Sequence, residues 1–203
     1  GVQDFTTSLD SWPAILWIDV PHMLIDSFSG DDDITLRAPA PNNAAWNVLV
    51  DVYGGSPAAP ENGDRLVVET PGLQNVTYTP ASYDSGRMVV RDAGANLVAD
   101  INISQLPSPF PPCPGVTYTP SAGGMEWVIY DGQGGDDDLT VVGTSSNDNF
   151  THTPGTAIDE GDIQVNSLLG IDYQPFGITP LVASLRMACT TLKQVSLLPL
   201  AVQ

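Results

Sequence analysis

The sequence predicts an all-β protein whose repeats stack as a β-solenoid of the parallel β-helix kind or, alternatively, pair as an antiparallel β-sandwich. Three observations carry that expectation. Eighteen prolines and nineteen glycines among 203 residues leave few windows long enough for a helix. Short β-branched or alternating runs recur between Gly, Asp and Pro punctuation. The same order of strands and turns also returns at nearly constant offsets.

The elements follow in chain order. WPAILWIDV, from Trp12 to Val20, is apolar and has no counterpart in the repeats, so residues 1–22 read as a cap or docking segment. Leu24 to Leu36 aligns without a gap on Ile129 to Val141 at an offset of 105. Asp26 falls on Asp131, Gly30 on Gly135, and Asp31, Asp32 and Asp33 fall on Asp136, Asp137 and Asp138. Val50 to Gly55, followed after an insertion by Gly63-Asp64-Arg65-Leu66, is a looser copy. Asp64-x-Leu66-x-Val68 returns as Asp137-x-Leu139-x-Val141, offset 73, and NVTYTP at Asn75 returns as NFTHTP at Asn149, offset 74. The turn and strand from Asp84 to Val90 return from Asp159 to Val165, offset 75, and a shorter VTYTP occupies Val116 to Pro120.

Leu66–Val68, Val76–Thr79, Met88–Val90 and Leu139–Val142 are the most plainly written strands. Leu106 to Gly115, LPSPFPPCPG, is a Pro-rich excursion, and Leu181 to Leu192 is the best window for a helix. Strands with an apolar residue at every second position need neighbours to cover them, and coils that turn at fixed places supply those neighbours. Hairpins recurring by duplication would give the sandwich instead. Either way residues 1–203 read as one domain, a unit of something larger.

Charge narrows the function. Twenty-four acids oppose six bases for a formal net charge of -18, and only Glu61, Glu69, Glu126 and Glu160 among the acids are not Asp. Such a surface repels nucleic acid, anionic lipid and uronic-acid polymers, and attracts cations. No run approaches the roughly 18 apolar residues of a membrane span.

The stretch GQGGDDDLTVVGTSSNDNFTHTP, from Gly132 to Pro154, resembles repeats of very large secreted or surface proteins of planctomycete-type bacteria. The matching positions are Gly134 to Asp138, Gly143-Thr144, Asn147-Asp148, Phe150 to Pro154, and Asp159 with Gly161. The resemblance implies an extracellular, repeat-built, non-catalytic protein. Gly132 to Thr140 is also similar to the nonapeptide of RTX-type calcium-binding β-rolls, with Gln133 in place of the second Gly. In those rolls the motif recurs every nine residues; here its two copies stand 105 positions apart.

Calcium is the cofactor these acids suggest, because Ca²⁺ takes six to eight oxygens from carboxylates and turn carbonyls. The candidate ligands are Asp131, Asp136, Asp137 and Asp138, and in the first copy Asp26, Asp31 and Asp33. Adjacent strand residues point to opposite faces, so at most Asp136 and Asp138 converge within their triplet. A solvated acidic turn that guards strand edges is the plainer reading of the same residues. Cys113 and Cys189 are candidates for a disulfide, which would stabilise by roughly 4 kcal/mol in an oxidising compartment; two free thiols are the alternative.

No Ser-His-Asp arrangement, phosphate loop or zinc spacing is present. A lyase for acidic polymers would need more cationic side chains than Arg65, Arg87 and Arg91 supply in the middle of the chain. Trp12, Trp17, Trp46 and Trp127 suit a sugar-stacking platform or, more commonly, a core or cap. Asn75, Asn102 and Asn149 open Asn-x-Ser/Thr sequons. The expected function is a non-catalytic extracellular structural or adhesive module, a unit of a cell-surface layer or filament that associates with itself or with neighbouring modules. A carbohydrate-binding or carbohydrate-active β-helix domain is the alternative, and an exposed Trp46 and Trp127 beside an Asp cleft would favour it.

Overall fold

The computed structural model describes residues 4–7, 15–18, 20–28, 30–38, 48–55, 63–104, 124–134, 137–157, 160–174 and 186–188. These residues form fifteen strands and, among the described residues, no helix. The strands are β1 (Asp4–Thr7), β2 (Ile15–Ile18), β3 (His22–Asp26), β4 (Asp33–Arg37), β5 (Leu49–Tyr53), β6 (Arg65–Glu69), β7 (Gln74–Pro80) and β8 (Gly86–Asp92). After them come β9 (Leu97–Ile103), β10 (Trp127–Asp131), β11 (Asp138–Val142), β12 (Phe150–Pro154), β13 (Gly161–Val165), β14 (Ile171–Gln174) and β15 (Arg186–Ala188). The window admissible for a helix thus contains the strand β15. The Pro-rich excursion, both cysteines and Trp46 lie outside the described residues.

A larger sheet of seven strands has the order β15-β11-β7-β8-β9-β5-β3, and a smaller one of six has the order β12-β13-β14-β10-β6-β4. β1 and β2 form an antiparallel pair of their own within the expected cap. The chain is all-β, as expected, and both main sheets are mixed. Parallel pairs of the kind a solenoid uses (β3 with β5, β4 with β6, β6 with β10, β7 with β11) coexist with antiparallel meanders β7-β8-β9 and β12-β13-β14.

The repeats map onto this order in an unexpected way. β5 lies in the larger sheet, β6 crosses to the smaller, and β7, β8 and β9 return to the larger, where β9 pairs parallel with β5. β10 to β14 repeat that path with the sheets exchanged: β11 crosses to the larger sheet, and the meander returns β14 to lie parallel beside β10. The offsets of 73 to 75 residues are therefore real structural equivalences. β3 and β4 are a short further copy, stacked in register on β5 and β6 without exchange.

One core lies between the sheets. Val50, Val52, Val76, Tyr78, Met88, Val90, Ile101 and Val141 from the larger sheet join Leu66, Val68, Val128, Tyr130, Ile163 and Ile171 from the smaller. The strict alternation in β7, where Gln74, Val76, Tyr78 and Pro80 are buried and Asn75 and Thr79 are exposed, is the Val-x-Tyr pattern of its sequence. Each fully buried aliphatic side chain contributes about 1.5–3 kcal/mol relative to exposure. The turns stack as well as the strands. Ser27 donates from its N–H to the Tyr53 carbonyl at 3.1 Å and from Oγ to the Gly54 carbonyl at 2.6 Å, locking the turn after β3 onto the turn after β5.

Candidate functional site

The acidic repeats that suggested calcium resolve into three structural roles. The first is a turn closure. Asp26 ends β3 and its Oδ1 accepts the Phe28 N–H at 3.1 Å, while Asp131 ends β10 and its Oδ1 accepts the Gln133 N–H at 2.9 Å. Phe28 and Gln133 both take positive φ, 70° and 48°, so the gapless alignment of the two copies is also a match of backbone shape.

The second role belongs to the residue just before a crossing strand. Asp137 is buried, with Oδ1 accepting the Gln74 N–H at 2.6 Å and Oδ2 accepting the Tyr130 hydroxyl at 2.8 Å. Burial first, and the charge of Asp137 second, push the Tyr130 phenol above its usual range, which keeps it a donor. Asp64 and Glu126 occupy the equivalent place in the smaller sheet. Glu126 Oε2 accepts the Asp64 N–H at 2.7 Å, and Asp64 Oδ1 accepts the Asp32 N–H at 2.9 Å. Each acid thus caps the first N–H of the next parallel strand, from β10 to β6 to β4. Asp32 Oδ2, at the end of this series, is buried without a partner, as is Asp64 Oδ2.

Asp64 is fully buried, and its carboxyl is pushed up to about 6 by burial first, with Glu126, Asp32 and Asp31 adding repulsion. The Asp32 N–H works the other way. A carboxyl that holds its proton more tightly when folded favours folding below its unfolded pKa, and that advantage is lost as pH rises to the folded value. Asp64 should therefore cost stability on the order of 2 kcal/mol between about pH 4 and pH 6. Asp64→Asn keeps an oxygen for the Asp32 N–H and removes the charge. Its melting temperature is expected to exceed wild type at pH 7 and to converge with it near pH 4. A constant difference across that range would refute the role given to this carboxyl.

The third role is on the surface. The outward residues of the smaller sheet lie in rows across its parallel strands: Asp33, Arg65 and Trp127 in one, Thr35, Val67, Ile129 and Asp172 in the next. Asp31, Asp33, Gly63, Arg65, Trp127, Ile129 and Asp172 line an open cleft of about 520 Å³. Trp127 is 51% exposed there, against the commoner expectation of a core or cap residue. Arg65 Nε meets Asp33 Oδ1 at 2.9 Å. Asp172 pairs across the antiparallel ladder with Asp162, and its carboxyl is raised by burial first and by Asp162 second.

Of the candidate metal ligands, Asp31 and Asp33 therefore meet in this cleft, Asp26 and Asp131 close equivalent turns, and Asp137 is interior. Asp138 is exposed at the start of β11, and Asp136 lies outside the described residues. Among the described residues no three His, Cys, Asp or Glu side chains come together in a way that could hold a metal ion. Arg65 and Asp172 carried no signal in the sequence, because only the pairing of β6, β10 and β14 makes them neighbours. Of the sequons, Asn102 is buried and donates to Asp51 Oδ1 at 2.8 Å, whereas Asn75 is exposed. His22 Nε2 lies 2.8 Å from Asp51 Oδ2 and ties β3 to β5. The chain matches no protein-family model, no curated protein and no solved structure.

Proposed function

We propose that this protein is a non-catalytic structural module that assembles with copies of itself or with neighbouring modules by strand addition, in an extracellular layer or filament at the cell surface. The observation that carries the reading is the open end of the carboxylate series. Glu126 caps Asp64 and Asp64 caps Asp32, while among the described residues no strand lies beyond β4 for the Asp32 carboxylate to cap in turn. A further parallel strand on β4 would offer it an N–H. β3 is the edge of the larger sheet at the same end, and β3 and β4 already stack on β5 and β6 in register. Another strand pair stacked in the same way would continue both sheets at once, a head-to-tail contact that does not close and so builds a filament.

The resemblance to secreted repeat proteins supports the extracellular placement, as does the Asp-rich surface. A net charge of -18 makes copies repel, so association should strengthen as salt shortens the screening length. Ca²⁺ enters this reading as a counter-ion between copies.

Sedimentation velocity over a range of protein concentrations tests the proposal. The Asp32 carbonyl accepts the Arg65 N–H and the Ala38 N–H donates to the Glu69 carbonyl, so the alternate residues Asp33, Thr35 and Arg37 turn their main-chain groups to the open edge. Thr35→Pro removes an outward N–H while sparing the ladder to β6. Wild type is expected to form larger species with rising concentration and salt, and Thr35→Pro to remain monomeric with an unchanged melting temperature. A wild-type chain that stays monomeric at high concentration and high salt would overturn the reading.

A further inference from the structure

We propose that the cleft on the outer face of the smaller sheet binds a glycan containing amino sugars, with a pyranose face stacked on Trp127 and the sugar ammonium held by Asp172. The site and its ligand are separate from strand addition at the edge of β4.

The cleft has the parts such a ligand needs. Trp127 begins β10 and is half exposed, and Ile129, the next outward residue of the same strand, is nearly buried and forms an apolar floor beside it. A half-exposed indole in a cleft that Ile129 also lines offers a flat surface to the C–H face of a sugar ring. Polar groups flank both sides of β10. Arg65 on β6 is in register with Trp127 and is held by Asp33, so its remaining N–H groups are oriented for ligand hydroxyls. Asp172 on β14 is in register with Ile129 on the opposite side. The volume, about 520 Å³, lies in the usual range for small-ligand sites of roughly 300–1,000 Å³.

Charge selects among sugars. Among the described residues the lining holds three carboxylates, Asp31, Asp33 and Asp172, against one guanidinium, that of Arg65, already paired with Asp33. An acidic sugar is repelled. A neutral sugar gains stacking and hydrogen bonds only. An ammonium gains the same contacts and also relieves the repulsion between Asp172 and Asp162, whose strands pair them directly. The indole face adds attraction for a cation.

Calorimetric titration of the whole chain with short oligomers of glucosamine, N-acetylglucosamine and glucose tests this. The glucosamine oligomer is expected to bind at least about tenfold more tightly than either neutral oligomer, and that margin should shrink as salt is raised. Trp127→Ala should abolish binding of all three, and Asp172→Asn should reduce the glucosamine oligomer to the neutral level. Equal affinity for the three oligomers would overturn the ammonium preference, and a preference that survives Asp172→Asn would overturn its assignment to that residue. No binding of any oligomer to wild type would overturn the site. The salt dependence is read on wild type alone, and none of these results bears on the sedimentation of the free protein.

Discussion

Gly55→Ala is expected to lower stability by about 3–5 kcal/mol, a fall of roughly 10 °C in Tm for a chain of this size. Gly55 follows β5 with φ 94°, and a Cβ there would run into the carbonyl oxygen of Phe28 in the turn stacked upon it. That oxygen is backbone, in a turn pinned by Asp26 and by the Ser27 bonds to Tyr53 and Gly54, so relief requires moving one turn away from the other. Gly72→Ala is the control. Gly72 also has positive φ, 112°, but a Cβ there would meet only the end of the Gln74 side chain, at 3.9 Å. It should cost about 1–2 kcal/mol, the strain of a left-handed residue alone. Thermal melts of the two variants separate backbone strain from turn-to-turn contact. Equal losses would mean that the turn stack contributes nothing.

Asp137→Ala is expected to cost about 3 kcal/mol, because it strips a charged acceptor from two buried donors. The Gln74 N–H would lose its buried acceptor, and the Tyr130 hydroxyl would lose Asp137 while keeping Thr70, 2.5 Å away. Tyr130→Phe removes the hydroxyl's bonds to Asp137 and Thr70, leaves Asp137 its bond to the Gln74 N–H, and should cost about 1–2 kcal/mol. The double variant is expected to lose less than the sum, since the Asp137–Tyr130 bond is counted in both single variants. Denaturant unfolding of the four proteins measures this coupling; strict additivity would contradict the bond.

Much of the fold is legible in the residues. Alternating runs such as Val76-Thr77-Tyr78-Thr79 give strands with the correct inward face, because side-chain direction in a strand depends only on parity. The alignment of Leu24–Leu36 on Ile129–Val141 correctly equates Asp26 with Asp131, since an Asx turn is a local device that travels with its sequence. What the residues do not disclose is the sheet to which each strand goes. A copy reads the same whether it stacks directly, as β3 and β4 do on β5 and β6, or with the sheets exchanged, as β10 and β11 do. The acidic triplet misleads for a related reason. Three adjacent Asp read as solvated, yet Asp137 is interior because it points toward the main chain of a strand more than sixty residues earlier. Trp127 is the reverse case. In the run Trp-Val-Ile-Tyr every residue suits a core, and only parity against Val128 and Tyr130 turns the indole outward.

The exchange of sheets between the two long copies also governs when this protein can fold. Of the first long copy, β6 alone lies in the smaller sheet, and the second copy adds β10 beside β6 and β11 beside β7, one strand to each sheet. The pairings of β6 with β10 and of β7 with β11 join strands about sixty residues apart, so they are expected to form late in folding, after the local meander β7-β8-β9. Until those distant strands meet, the net charge of -18 keeps incompletely paired chains apart.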